Sequence, residues 1–529
     1  MLEHGTLTQF EKSDSVYRDL LKLAQAEFNL RSLFNENPNR AARFSLEACG
    51  LYLDYSKNLI DEKIFEKLNQ LASSVHIEES IEALFRGKHL NVTENKPALH
   101  MLLREINVDG IHSEIREAIL SERLKMYELA QNFRSGAWLG AKGQRLKTIV
   151  NIGIGGSDLG PRMAAYALSP YHQKGLTVHF VSNGDPTELK MLLDTLDPND
   201  VLFIVSSKSF QTEETLMNAQ AAYQWLLQSV GPEDIEKHFV AVTAHPDKVS
   251  QTNLKFGVIL KIWDWVGGRF SVWSSIGLPL LFMIGQAHFE AFLKGAAEMD
   301  QHFRYAPLMN NMPVILALLG IWYVNFKNIH QHAVIPYHQL LYHFPNFLQQ
   351  LEMESNGKSV TLDAKSVEWA TCPILWGGIG SNSQHAFHQF LHQGTNQGPI
   401  DFIVAAQSSY NTGDQHLYLV AQCISQAEVL MQGFDGPLHQ RLQGNRPSNM
   451  ILFQKLTPAT LGALIALYEH KVFLQSRLWQ INAFDQPGVE RGKTLAKQNF
   501  RRLKSTVTEN DADPSTARLL NKVKAWILE

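Results

Sequence analysis

Four side chains in this sequence form a set suited to proton transfer beside a bound anion. Glu354, in the run MESNGKS, sits just before a turn and has the chemistry of a general base. His385, in SNSQHAFHQF, can shuttle a proton near neutral pH. Lys493 supplies a cation, and Arg269, preceded by Gly267 and Gly268, could stabilise a developing oxyanion. The anion itself has a candidate seat in Ser206–Thr212, where an apolar run, Val201–Val205, gives way to hydroxyls around one lysine. A strand ending there would aim backbone N–H groups and a helix N-terminus at one spot, with Ser207, Ser209 and Thr212 as neutral donors and Lys208 as a positive charge. Glu213 and Glu214 come next, so they must face away from any dianion. The same loop has a second reading, as hydroxyls that only cap the helix. Periodicity cannot bring Glu354, His385, Lys493 and Arg269 together.

The elements that must position these groups follow a regular rhythm. The chain opens with helical patterning: Tyr17, Leu21, Ala24 and Phe28 mark one stripe, and Ile115, Ile119, Met126 and Leu129 mark a long helix that stops at Ser135-Gly136. Short β-branched runs then recur at 148–152, 177–181, 201–205, 239–243 and 258–262, separated by helix-length segments, which predicts repeated βαβ units and a parallel, doubly wound sheet. In such a sheet ligands collect beyond the carboxyl ends of the strands. Three runs end in suitable turns: Gly153-Ile154-Gly155-Gly156-Ser157, Ser182–Pro186 and Ser206–Thr212. Asp185 before Pro186 has the form of an N-cap followed by proline at the first helical position. A second alternation, with strands at 333–336, 373–376, 402–406 and 450–453, predicts a second α/β domain. The expected division is a helical region over 1–125, a smaller α/β domain over 126–290, a larger one over 291–505, and a linker with a terminal helix over 506–529.

Composition narrows the function classes. The 529 residues exceed what one core normally holds, in keeping with two domains. A net charge of −4 provides no general field for nucleic acid or an anionic membrane, so an anion must be held locally. Three cysteines, Cys49, Cys372 and Cys423, offer no disulfide framework and suit a reducing cytoplasm. Glu3, Glu11 and Asp14 interrupt any apolar leader, and the apolar stretch Val314–Val324 falls short of the roughly 18 residues a membrane span needs, so it is expected to be a core helix.

Several familiar motifs fail on inspection. The glycines of 153–156 follow a strand, but Asp158 stands where a dinucleotide fingerprint needs glycine. Gly488–Thr494 has one residue too few for a P-loop, and Leu159 replaces the second glycine of a nucleophile elbow around Ser157. His385, His388 and His392 would share a face if they lay on one helix and could then ligate a metal, although no carboxylate or cysteine accompanies them.

The segments NIGIGGSDLGP (151–161), SKSFQTEET (207–215), VGGRFSVWSSIGLPL (266–280), MESNGKS (353–359), QHAFHQFLHQGT (384–395) and FDQPGVERGK (484–493) together resemble the phosphoglucose isomerase family, in the same order and over nearly the whole chain from about Phe85. The resemblance implies two sugar-isomerase α/β/α sandwich domains and a cytoplasmic homodimer with active sites at the subunit boundary, completed by a histidine of the neighbouring chain. It implies a sugar phosphate substrate, glucose 6-phosphate, and no metal or organic cofactor. Glu354 then corresponds to the base that moves a proton between C1 and C2, Arg269 to the group facing the enediol charge, and His385 with Lys493 to the ring-opening pair. Gly156, Ser157, Ser207, Lys208, Ser209 and Thr212 match the phosphate and sugar cradle, and Gln350 and Gln486 match further substrate contacts. Ser209 and Gln211 stand where threonines are commoner, Pro487 replaces a frequent tryptophan, and Ser381 and Ser383 replace threonine and glycine near His385. None of these removes a proton-transfer group. Two other readings remain open at this level: a noncatalytic sugar-phosphate sensor of the same architecture, and a metal-dependent isomerase built on the three histidines.

Overall fold

In the computed structural model, residues 15–104, 113–410, 413–505 and 512–528 are described. They contain eleven strands: β1 (Ser45–Ala48), β2 (Leu51–Asp54), β3 (Thr148–Ile152), β4 (Thr177–Val181), β5 (Val201–Ser206), β6 (Phe239–Thr243), β7 (Val258–Lys261), β8 (Gln331–Tyr337), β9 (Ile374–Gly377), β10 (Ile400–Ala405) and β11 (Ser448–Phe453). The β-branched and aromatic runs become strands because helices cover both faces of a parallel sheet and reward a continuous apolar run. Every residue of β3, β5 and β6 is buried.

The first sheet is parallel throughout, in the order β4-β3-β5-β6-β7. The chain begins at β3, steps outward to β4, then returns across β3 to β5, so the direction of winding reverses between β3 and β5. A crevice opens at the carboxyl ends of two strands related in this way. The register sets Ile152 beside Val205, which brings the turns after β3 and β5 out at the same level. Those are the glycine-rich and hydroxyl-rich turns of the sequence.

The second sheet runs β1-β2-β11-β10-β8-β9, with β11, β10, β8 and β9 parallel. Its other edge corrects the all-helical reading of the N-terminal region, because β1 and β2 form a hairpin that joins β11 antiparallel. Leu51 and Leu53 are buried on either side of exposed Tyr52, a period of two over only four residues, too short to stand out in the sequence. The first helix, Ser15–Ala24, also ends before Phe28, and it buries Leu20 rather than Leu21. The helix Ser113–Ser135 stops at Gly136, where φ is +82°. The apolar stretch from Val314 lies in a fully buried helix, Met312–Ile321, that continues as a π-turn over Trp322–Phe326.

The helix Pro458–Leu478 is buried along nearly its whole length and packs on Gln286–Tyr305. Three consecutive ionisable groups on it are paired, as buried ions must be: Glu469 with Arg104, His470 with Asp300 at 2.6 Å, and Lys471 with Glu352 at 2.7 Å. No helix among the described residues is long and apolar enough to cross a membrane.

Both sheets belong to one compact unit, Met1–Ala483, and a second unit spans Phe484–Glu529. Within the second, the helices Pro487–Lys504 and Pro514–Leu528 are joined by a hydrogen bond from Lys524 Nζ to the Ser505 carbonyl at 2.8 Å. Of the linker expected before the terminal helix, residues 506–511 lie outside the described residues.

Candidate active site

The decisive contact is between Arg269 and Glu354. Gly268–Phe270 forms a short turn that buries Arg269, and Gln350–Glu354 forms a π-turn at the end of the helix Phe344–Gln349, in the connection that leaves the carboxyl end of β8. Arg269 Nη1 lies 3.4 Å from Glu354 Oε2. The guanidinium is fixed by its other nitrogens: Nε donates to Ser355 Oγ at 2.6 Å and Nη2 donates to the Ala483 carbonyl. Glu354 keeps one side open, with 22% of its side chain exposed against 1% for Arg269. A carboxylate held beside a fixed cation and facing solvent is placed to exchange a proton with a ligand whose developing negative charge the cation can meet. Lys358 closes the turn from behind, its Nζ donating to the Glu354 and Ser355 carbonyls at 2.9 Å each.

The β3 turn packs directly against this pair. A Cβ on Gly156 would fall 2.1 Å from the Gly268 carbonyl carbon and 2.2 Å from its oxygen, so the two backbones meet with no room for a side chain. Ser271 Oγ donates to the Gly268 carbonyl at 2.6 Å and reaches the Gly156 carbonyl at 3.3 Å. The missing side chain of Gly156 thus lets the β3 turn lie against the turn that buries Arg269. Gln350 belongs to the same cluster: a Cβ on Gly155 would lie 3.3 Å from its Nε2, and its buried Oε1 has no hydrogen-bond partner among the described residues. Gly156→Ala is expected to force the turns apart, costing about 1–3 kcal/mol of stability and at least about tenfold in activity through displacement of Arg269. Gly268→Ala is the control, because its Cβ would meet only Gly156 Cα at 3.8 Å, an ordinary contact. Thermal melts and initial rates of both variants check this.

Asn151 ties the β3 and β5 turns together, donating to the Ser157 carbonyl at 3.1 Å while its Oδ1 accepts from Ser206 Oγ at 3.1 Å. Beyond Ser206, the Ser207 and Thr212 hydroxyls lie 3.2 Å apart, Ser209 is exposed, and Phe210 adopts φ +50° with its ring buried. Glu213 opens the following helix, Glu213–Val230, whose N-cap is Thr212. Lys208 differs from the simplest reading. Its Nζ donates to the carbonyls of Asp264 and Val266 at 2.8 and 2.9 Å, so the side chain straps the β5 turn to the loop leading into Gly267 and does not stand free over the turn. Burial draws this ammonium below the usual lysine range, against the opposing pull of Asp264.

Three sequence candidates remain, His385, Lys493 and Gln486. His385 is exposed between two short helices, Gly380–Gln384 and His388–Gln393, beyond the carboxyl end of β9. No described hydrogen bond joins it to Glu354 or Arg269. The break also removes the single helical face that the three histidines needed to share. His388 Nδ1 and His392 Nε2 both bond Gln426 Oε1, at 3.1 and 2.8 Å, and burial draws His388 below the usual histidine range. Among the described residues no group of three or more His, Cys, Asp or Glu is placed to hold a metal. Lys493 and Gln486 belong to the second unit. There Gln486 precedes the helix that Pro487 begins, a position proline suits, and exposed Lys493 Nζ lies 2.7 Å from Glu490 Oε1. Ser383 is buried and donates to the Gly380 carbonyl at 2.7 Å, which makes it part of the turn that precedes His385.

A cavity of about 960 Å³ lies elsewhere, lined by residues that include Lys327, Gln331, Ile374 and Gln397. These stand at or before the amino ends of β8, β9 and β10, whereas Glu354 and His385 follow the carboxyl ends of β8 and β9.

The family model described as phosphoglucose isomerase matches residues 54–520. The chain belongs to the phosphoglucose isomerase family. Among its relatives is a glucose-6-phosphate isomerase of Ectopseudomonas mendocina, 45% identical over 531 aligned positions that cover 94% of this chain and 95% of the relative. Another, of Frankia casuarinae, is 47% identical with 94% of each chain covered. A crystal structure of a glucose-6-phosphate isomerase from Chlamydia trachomatis superposes with a TM-score of 0.89 at 31% identity, covering 97% of this chain and 99% of that one. As a phosphoglucose isomerase family member the chain is an isomerase of two-sheet α/β architecture, as its sequence motifs led one to expect. Sequence reasoning missed the supports of this site: Ser355 behind Arg269, Asn151 between the turns, and Glu352 beneath Glu354. Only Ser355 had a signal, its place inside MESNGK.

Proposed function

We propose that the chain interconverts D-glucose 6-phosphate and D-fructose 6-phosphate, with Glu354 as the base that carries the proton between C2 and C1. The observation that carries this reading is the 3.4 Å contact of a partly exposed carboxylate with a buried, fully engaged guanidinium. Proton abstraction next to a carbonyl converts it to an enediolate, so a base needs a fixed positive group at the carbonyl oxygen. Arg269 takes that role. The turns after β3 and β5, with Gly156, Ser157, Ser207, Ser209 and Thr212, hold the phosphate through backbone N–H groups and hydroxyls. Lys208 shapes that cradle by its strap to Asp264 and Val266, and Gln350 turns its amide toward the sugar.

The substrate must open before its carbonyl exists. In this reading His385 and Lys493 handle the proton exchange between the ring oxygen and the C1 hydroxyl, and Gln486 adds a sugar contact. His385 acts on the site of the adjoining chain in a homodimer. Its exposure supports this, and so do the exposed apolar side chains of Leu417, Tyr418 and Ile424 on the helix Gln415–Gln432, a surface suited to a second copy. Three free cysteines suit a cytoplasmic setting.

Mixing two inactive variants tests the shared site. In Glu354→Gln/His385→Ala heterodimers, one of the two sites regains both groups if the histidine crosses the boundary. Refolding an equal mixture is therefore expected to restore roughly a quarter of parent activity, since half of randomly paired dimers are mixed. A histidine acting within its own chain would restore none.

A further inference from the structure

The turn that presents Glu354 is gripped on both sides by consecutive residues of one buried helix. Glu352, two residues before Glu354 in the same π-turn, is 1% exposed, and its Oε2 meets Lys471 Nζ at 2.7 Å. Asn356, two residues after, is fully buried and donates through Nδ2 to the Val472 carbonyl at 3.1 Å. Lys471 and Val472 are neighbours on the helix Pro458–Leu478.

The grip extends into the second sheet. Lys471 Nζ is 3.5 Å from His332 Nδ1 on β8, and His332 Nε2 lies 3.0 Å from Asp401 Oδ2 on β10. Asp401 also accepts from Tyr468 at 2.8 Å and from Asn449 at 2.7 Å. A run of polar groups therefore leads from the π-turn through the helix to the middle of the sheet, all of it enclosed.

A π-turn carries one residue more than the α-helical ladder accommodates, so backbone hydrogen bonds fix it less well than an ordinary turn. A buried ion pair is a poor way to gain stability, because apolar residues of the same volume serve as well or better. It does fix direction, through two charged groups that tolerate little displacement. Glu352 is spent on Lys471 and has no path to a ligand, so it is not a second base.

We propose that Glu352 and Lys471 are positioning residues for isomerisation: their ion pair, with the Asn356 contact, sets the aim of the Glu354 carboxylate relative to Arg269. This rests on Glu354 being the base. A small error in aim lowers the rate of proton transfer but leaves the phosphate seat on β3 and β5 untouched.

The test compares E352Q and the charge-free pair E352Q/K471Q with the parent and with E354Q. The double variant leaves no unmatched ion in the core, and in E352Q the glutamine keeps the side-chain volume and a carbonyl oxygen that can accept from Lys471, so each has a route to a folded state. In both, kcat is expected to fall by about tenfold or more while the KM for glucose 6-phosphate stays within about threefold and the far-ultraviolet circular dichroism matches the parent. Parent-like kcat in the folded variants, or a loss confined to KM, overturns the proposal. E354Q separates the two levels: near-parent turnover there refutes Glu354 as the base, whereas an inactive E354Q beside fully active E352Q/K471Q refutes only the positioning role.

Discussion

Glu354→Gln is expected to lower isomerisation by about 10²–10⁴-fold, the usual share of a positioned general base, with little change in the affinity for a sugar phosphate. Glutamine keeps the volume and can still accept from Arg269 at the position of the present 3.4 Å contact, so the turn has no steric cause to move. The backbone that holds it is tied independently of the carboxylate, by Lys358 on the Glu354 and Ser355 carbonyls and by Asn356 on Val472. The variant should therefore melt close to the parent. Turnover within tenfold of the parent would exclude Glu354 as the base, since its carboxylate is the one placed 3.4 Å from the Arg269 guanidinium with a side open to a ligand.

Arg269→Lys is expected to cost both rate and stability. The guanidinium serves three directions at once: Ser355 Oγ, the Ala483 carbonyl and Glu354. A single ammonium on a shorter, rotatable stem cannot reproduce that planar fork. Losing one or two of these buried bonds costs about 1–3 kcal/mol, and misplacing the charge that faces the developing oxyanion costs about 10²–10³-fold in kcat. Because charge is retained, substrate affinity should change less than kcat. Initial rates over a range of substrate concentration, with a thermal melt alongside, separate the two effects. Unchanged kcat in a destabilised variant would mean that Arg269 is only a structural tie.

Strands were the part of the fold most legible in the sequence. The runs at 148–152 and 239–243 coincide with β3 and β6, because burial on both faces of a parallel sheet demands continuous apolar residues bounded by turns, and the run at 177–181 coincides with β4, an edge strand that is only partly buried. The β1–β2 hairpin was hidden, since four-residue strands with one buried face leave almost no pattern. The histidine spacing suggested one helix where Ala386 and Phe387 mark a break between two, and nothing local marks that break.

The site was legible in kind and much less so in arrangement. Residue types and motif order singled out Glu354 and Arg269, but their meeting depends on contacts 85 residues apart in the chain, arranged by both sheets. Lys208 shows the limit most clearly. Its type and place suggested a phosphate ligand, while the two carbonyls that capture it come from a loop more than 50 residues later. The buried pair of Glu352 and Lys471 had no signal at all, since charged residues in a sequence read as surface unless packing says otherwise.

Exchange of the C2 hydrogen of glucose 6-phosphate with solvent reports most directly on a carboxylate that removes and returns that proton. In deuterium oxide the parent chain should place deuterium at C2 of recovered glucose 6-phosphate while fructose 6-phosphate forms, and Glu354→Gln should bind the sugar phosphate but leave C2 protiated. Deuterium entering C2 at the parent rate in Glu354→Gln would contradict the assignment of the base.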